Sequence, residues 1–192
     1  LVAHSMGGLV AKQYILDNGS GSVNKLVFIG TPHLGAPLSA KALLWGDNLS
    51  VKLMFPFLDP ERVRYISQNM PALYELLPSR AYLDQEYYYY DHTQSNVFDY
   101  NRTKQFLTDF GLSPILLQSA DSFHSSSLDN FNAAGLDAYN INGCDTPTIT
   151  TLIKKSNGEY GMFLHEGDGT VPLVSSKAVN IDSSKVYYFK GI

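Results

Sequence analysis

The chain has 192 residues, 44% hydrophobic and 17% charged, which is the composition of a folded domain with a substantial core. A net charge of −4 argues against a nucleic-acid partner, and a single cysteine, Cys144, excludes an internal disulfide framework and a cysteine-rich metal site. No apolar run approaches transmembrane length and no signal peptide is visible; a chain that opens inside an apolar strand without methionine reads as a piece of a longer protein.

Leu1, Val2 and Ala3 read as the end of a buried strand. His4-Ser5-Met6-Gly7-Gly8 breaks that run, and helical periodicity follows, with Met6, Leu9, Val10 and Tyr14 spaced to share one helix face. Strand, tight turn and helix with a serine at the apex form the nucleophile elbow of the α/β-hydrolases, here Ala3-His4-Ser5-Met6-Gly7. Strand and helix run close together at such a turn, so the positions two before and two after the serine need small residues, which Ala3 and Gly7 supply. The N–H of Met6 then opens the helix where an oxyanion would form. The alternative is an ordinary helix capped by Ser5; the apolar strand before it and Gly8 after it favour the elbow.

Asp17-Asn18-Gly19 is a helix stop, and Lys25-Leu26-Val27-Phe28-Ile29-Gly30 fits a parallel strand buried on both faces, closing a βαβ unit. Thr31-Pro32-His33-Leu34-Gly35-Ala36-Pro37 follows at that strand's C-terminal end, where open α/β sheets bind ligands, so His33 and Leu34 are candidates to line the substrate site.

Residues 39–137 read as a mainly helical cap inserted into an α/β core formed by 1–38 and 138–192. Helices are expected over 41–45, 60–68, 71–78, 101–110 and 123–132. Trp45, Leu53, Met54, Phe55, Phe57 and Leu58 are either pocket-lining or the cap's own core, the latter being favoured for most. Tyr87, Tyr88, Tyr89 and Tyr90 form either an interfacial patch or a half-buried rim. Strands are expected over 139–142 and 186–189, with a hairpin of 148–154 and 160–164 around Ser156-Asn157-Gly158. Residues 173–178 suit a short helix.

A serine hydrolase needs a nucleophile, an acid and a histidine, which α/β-hydrolases carry in that chain order. Ser5 fills the first role, and Asp168, framed by Gly167 and Gly169 after a strand, is the best acid; Asp137, Asp145 and Asp182 are weaker. His4, His33, His92, His124 and His165 all precede Asp168, so the triad histidine is expected beyond Ile192.

Four stretches carry a family resemblance. They are Val2-Ala3-His4-Ser5-Met6-Gly7-Gly8-Leu9-Val10, Gly30-Thr31-Pro32-His33-Leu34-Gly35-Ala36-Pro37, Leu73-Tyr74-Glu75-Leu76-Leu77-Pro78 and Gly167-Asp168-Gly169-Thr170-Val171-Pro172. In that order they resemble the lecithin:cholesterol acyltransferase-like family of α/β-hydrolases. The resemblance implies Ser5 as nucleophile, Asp168 as triad acid and the Met6 N–H as an oxyanion donor. It also implies hydrolysis or acyl transfer on a lipid ester, with no metal or organic cofactor, and leaves a membrane or lipoprotein surface open as a partner. The rival readings are an inactive homologue that binds lipid or protein, and an amidase or peptidase of the same fold. Low charge, abundant tyrosine and the lipid-type motif lean towards an extracytoplasmic location; Asn48-Leu49-Ser50 and Asn101-Arg102-Thr103 fit glycosylation sequons.

Overall fold

A computed structural model describes residues 1–47, 59–86, 89–91, 96–133, 135–155, 157 and 159–190, and only the backbone of Tyr89, Tyr90, Asn96 and Ser126. The cap residues 53–58, the tyrosines 87 and 88, His92, the sequon at 48–50, two residues of the expected hairpin turn and Ile192 lie outside the described residues.

Strand β1 (Val2–His4) leads through Ser5 and Met6 into helix α1 (Gly7–Asn18), which Gly19 ends, and then into β2 (Lys25–Ile29). The βαβ unit is present, with β1 and β2 parallel in the register Val2–Val27, Ala3–Phe28 and His4–Ile29. On β2, Leu26 and Phe28 are fully buried, while the opposite face is half-buried.

The buried face of α1 differs from the one its apolar spacing suggests. Gly8, Leu9, Ala11, Lys12 and Ile15 face inwards, whereas Met6, Val10 and Tyr14 are exposed. The tight approach of α1 to the segment after β2 sets this rotation. A side chain at position 8 would collide with Thr31, so the smallest residues, not the bulkiest, turn towards the sheet.

The cap follows as α2 (Leu38–Trp45), α3 (Pro60–Gln68), α4 (Pro71–Glu75) and α5 (Arg80–Leu83). Two short strands, β3 (Tyr89–Asp91) and β4 (Asn96–Val97), precede α6 (Tyr100–Asp109) and α7 (Pro114–Phe123). The N-termini are set by local chemistry: Asp59, Ser79, Asp99 and Ser113 each accept a backbone N–H from the following turn, and Pro60, Pro71 and Pro114 occupy first helical positions. The expected helix over 123–132 is displaced. Ser113-Pro114 starts α7 earlier, and the chain widens at His124–Leu128 into a single π-helical turn. Trp45 packs against Phe110 and Tyr160, so it belongs to the cap's core.

Three long strands come next: β5 (Asp137–Cys144), β6 (Thr146–Lys154) and β7 (Tyr160–Gly167). Helix α8 (Leu173–Ser176), a 3₁₀ turn at Ser183–Lys185 and β8 (Val186–Lys190) complete the described chain. β1, β2, β5 and β8 lie side by side in that order, all parallel. β6 and β7 form the expected antiparallel hairpin, but it leaves this sheet and joins β3 and β4 in a second one, ordered β4-β3-β6-β7. The hairpin, which falls within 138–192, is thus paired with a strand from 39–137.

Two cores result. Ala3, Ala11, Ile15, Leu26, Phe28 and Phe131 pack between α1 and the parallel sheet. Leu43, Leu44, Tyr74, Leu107, Leu117 and Leu152 pack the cap helices onto the second sheet. The Tyr82 hydroxyl, buried, donates to the Thr150 carbonyl at 3.1 Å and ties α5 to the hairpin.

Candidate active site

Ser5 has φ +52, one of two non-glycine residues with positive φ among those described. An L-residue holds that conformation only when its surroundings impose it. Here β2 pins the turn from one side, with the Ser5 N–H donating to the Ile29 carbonyl at 2.9 Å, and the first turn of α1 from the other, with the Gly8 N–H donating to the Ser5 carbonyl at 2.9 Å. Ser5 is not the helix cap: the N-cap is Met6, and no side chain caps the helix. The Ser5 hydroxyl is half-buried and engages no partner among the described residues, and the Met6 N–H, at the positive end of α1, likewise has no acceptor.

Of the small residues framing the turn, Ala3 is buried as expected, but Gly7 is not the crowded one. A Cβ at Gly7 would meet nothing within 4 Å among the described residues, whereas one at Gly8 would lie 2.1 Å from Thr31 Oγ1. Gly8→Val is therefore expected to lower stability by about 2–3 kcal/mol through overpacking, and Gly7→Ala to be neutral or to stabilise by up to ~1 kcal/mol through helix propensity. Urea denaturation of the two variants checks this; equal destabilisation would contradict the assignment.

Asp168 reaches the same end of the sheet from the second sheet, at the end of β7. Its Oδ1 accepts the N–H groups of Thr170 at 2.8 Å and Val171 at 2.7 Å, fixing the loop. Thr148 Oγ1 accepts the Gly169 N–H at 2.8 Å from below. Oδ2 is left for another partner, and it lies over Gly30: a Cβ there would come within 2.9 Å of it. Gly30 has φ +54 and follows Ile29, whose carbonyl holds Ser5. A Cβ at Gly143, on β5, would lie 2.5 Å from Asp168 Cβ. The C-terminal ends of β1, β2 and β5 thus bring Ser5 and the free oxygen of Asp168 to one edge of the sheet. Gly30, Gly143 and Thr148 shape this approach and were not singled out from the sequence; glycine at the end of a strand is the signal that marks such close backbone packing.

The weaker acids have other roles. Asp137 lies at the opposite end of β5, where Lys185 and then Lys25 hydrogen-bond it and hold its carboxyl down to about 2. Asp182 accepts the Ser184 N–H at 2.9 Å in a turn, and Asp145 pairs with Lys190 at 3.5 Å.

No histidine among the described residues hydrogen-bonds to Ser5 or Asp168. His4 is exposed on β1, and His165 meets Glu86 at 3.1 Å. His124 is buried in the cap with both ring nitrogens engaged, Nδ1 with Asp129 at 2.6 Å and Nε2 with the Glu75 carbonyl at 2.7 Å. His33 and Leu34, expected to line the site, are 0% and 2% exposed. The His33 ring stands edge-on to Phe28, and burial, reinforced by the nearby Lys12 charge, holds it well below the usual histidine range. Asn140 lies close enough to oppose that shift, yet neither ring nitrogen reaches a partner within hydrogen-bonding geometry. The pair supports the loop instead of offering a surface: the Leu34 N–H donates to Ser175 Oγ at 3.0 Å, and Ser175 donates to the Gly35 carbonyl at 2.6 Å.

Lys12 is the unexpected residue of the elbow helix. It is 0% exposed, with its ammonium on the Leu128 carbonyl at 3.1 Å and above the Phe131 ring. Burial lowers it to about 7, with the Asp129 charge opposing.

A search of curated proteins returns no match. Among solved structures, the crystal structure of the Tle4-Tli4 complex contains a chain similar to this one with a TM-score of 0.64 at 16% identity, over 93% of this chain and 50% of that one. This chain therefore spans half the length of the one it matches, and the likeness is one of fold. A parallel sheet whose strand-to-helix elbow carries a serine, with an inserted cap, is the α/β-hydrolase fold. The profile described as lecithin:cholesterol acyltransferase matches residues 1–138, from the elbow through the cap, and the chain belongs to that family.

Proposed function

We propose that the chain carries the nucleophile and the acid of a serine esterase, lipase or acyltransferase that acts on lipid esters. The observation that carries this reading is the Ser5 turn: a strained serine with a free hydroxyl at a helix N-terminus, at the same end of the parallel sheet as an aspartate with one oxygen unengaged. The family membership supports a lipid ester as the substrate.

In this reading Ser5 Oγ attacks the ester carbonyl as a histidine downstream of Ile192 takes its proton. Asp168 Oδ2 accepts the other ring N–H of that histidine, fixing its tautomer and stabilising the imidazolium. The Met6 N–H meets the oxyanion of the tetrahedral intermediate. Collapse expels the alcohol, protonated by the histidine, and leaves an acyl group on Ser5; water then gives hydrolysis, and a bound alcohol gives transfer. Neither step calls on a metal or organic cofactor.

Treatment of the full-length protein with a fluorophosphonate probe is expected to give one adduct on Ser5 by mass spectrometry, and none in Ser5→Ala. No adduct on a folded protein would overturn the reading in favour of an inactive homologue that binds lipid or a protein partner.

A further inference from the structure

The cap holds a cavity of about 270 Å³ between α5, α6 and α7. Neither Ser5, Met6, Gly30 nor Asp168 contributes to its walls. Its apolar side is Leu77, Leu83, Leu107 and Leu117. Its polar side has an imbalance between donors and acceptors. Asp121 is engaged through both oxygens, one by the Tyr100 hydroxyl and the other by the Lys104 ammonium. Asp129 is paired with the His124 ring through Oδ1, and its charge also acts on the buried Lys12 ammonium.

The donors are not used up in the same way. Arg80 stacks on the Tyr100 ring at 4.1 Å and has no carboxylate partner among the described residues. Lys104 keeps ammonium protons beyond the one that meets Asp121. Thr103 is 3% exposed and lines the cavity, and its hydroxyl has no partner. A buried hydroxyl left without a hydrogen bond is costly, so a group that supplies acceptors there is favoured. Guanidinium, ammonium and hydroxyl arrive from two helices. Three separate donors suit the three terminal oxygens of a phosphate better than the two of a carboxylate.

We propose that this cap cavity is a binding site for a phosphate group, held by Arg80, Lys104 and the Thr103 hydroxyl, with the leucine wall taking an apolar stem attached to it. Burial, with the Arg80 charge second, holds the Lys104 ammonium below the usual lysine range, and a bound anion favours its charged form. The site is separate from the elbow and does not depend on Ser5 chemistry.

Isothermal titration calorimetry of the purified protein with inorganic phosphate and with hexyl phosphate tests the proposal. Hexyl phosphate is expected to bind with one site per chain, and Arg80→Gln and Thr103→Val are each expected to weaken it at least about tenfold. Arg80 is exposed, so Arg80→Gln is expected to keep the parent's urea midpoint, which separates lost binding from lost fold. Ser5→Ala is expected to bind as the parent does. Tighter binding of hexyl phosphate than of inorganic phosphate identifies an amphiphile headgroup as the occupant, and equal binding identifies free phosphate. The proposal is overturned if neither probe binds the folded protein, if Arg80→Gln binds like the parent, or if Ser5→Ala abolishes binding.

Discussion

Replacing Asp168 with asparagine is expected to lower ester turnover by the full-length protein about 10⁴-fold while leaving its fold intact. The two oxygens of Asp168 do different work, and the substitution separates them. Oδ1 holds the loop through the N–H groups of Thr170 and Val171, and an asparagine carbonyl oxygen accepts the same two bonds. Oδ2, over Gly30, becomes an NH₂ group, a donor where the histidine also needs to donate, so the ring is held in the wrong tautomer. Asp168→Ala removes both functions, and is expected to lose stability by about 1–2 kcal/mol in addition to activity. Measured kcat/KM and urea midpoints for the two variants check the distinction. If Asp168→Asn retains parental turnover, Asp168 is a loop-forming residue and not the acid.

The second large effect is on stability. Lys12→Met is expected to stabilise the protein by about 2–4 kcal/mol at pH 6–7. The ammonium is moved out of water into the packing between α1 and the π turn, which is why its value falls from 10.5 to about 7. Part of the gain is offset because the Leu128 carbonyl loses its donor. The pH dependence has a definite sign. Between about pH 7 and 10.5 the unfolded chain binds a proton at Lys12 that the folded chain does not, so this residue makes stability rise with pH across that window. Below pH 7 both states are protonated and the full penalty stands. The advantage of Lys12→Met is therefore expected to be constant below pH 7 and to shrink by about 1.4 kcal/mol per pH unit above it. Denaturation of parent and variant at several pH values from 6 to 10 measures the difference directly; a difference that does not change with pH would refute the account.

Lys12 also shows where the sequence is a poor guide. Its spacing from Gly8, Ala11 and Ile15 puts it on the buried face, but a lysine among apolar neighbours ordinarily reads as a solvent-facing position, and the bulkier Met6, Val10 and Tyr14 mark the more conspicuous apolar face. Helix rotation was decided by backbone approach at Gly8, a tertiary fact with only a faint local signal. The elbow itself was legible because it is local: strand, turn and helix lie within a few residues and the strain falls on Ser5. The strands that flank it were legible for the same reason. The π turn was not, since it depends on His124 reaching Glu75 and Asp129 from the end of α7. The burial of His33 was not legible either, because adjacency to a strand end says nothing about which way a ring turns. The hairpin was visible in its β-branched run and turn, but its choice of sheet was not, because the partner strand β3 lies far upstream in an aromatic stretch with no strand pattern.

That choice of sheet bears on how such folds can be rebuilt. The strand that delivers Asp168 is paired edge to edge with β6, which in turn pairs with β3 from the cap. Two stretches distant along the chain are thus one unit of inheritance. A chimera that swapped residues 39–137 for a cap without a matching strand would strip β6 of its β3 neighbour and leave Asp168 at the end of a two-stranded ribbon. Exchange of substrate preference between relatives has to carry the hairpin along with the helices, or select for a new strand that zips onto it.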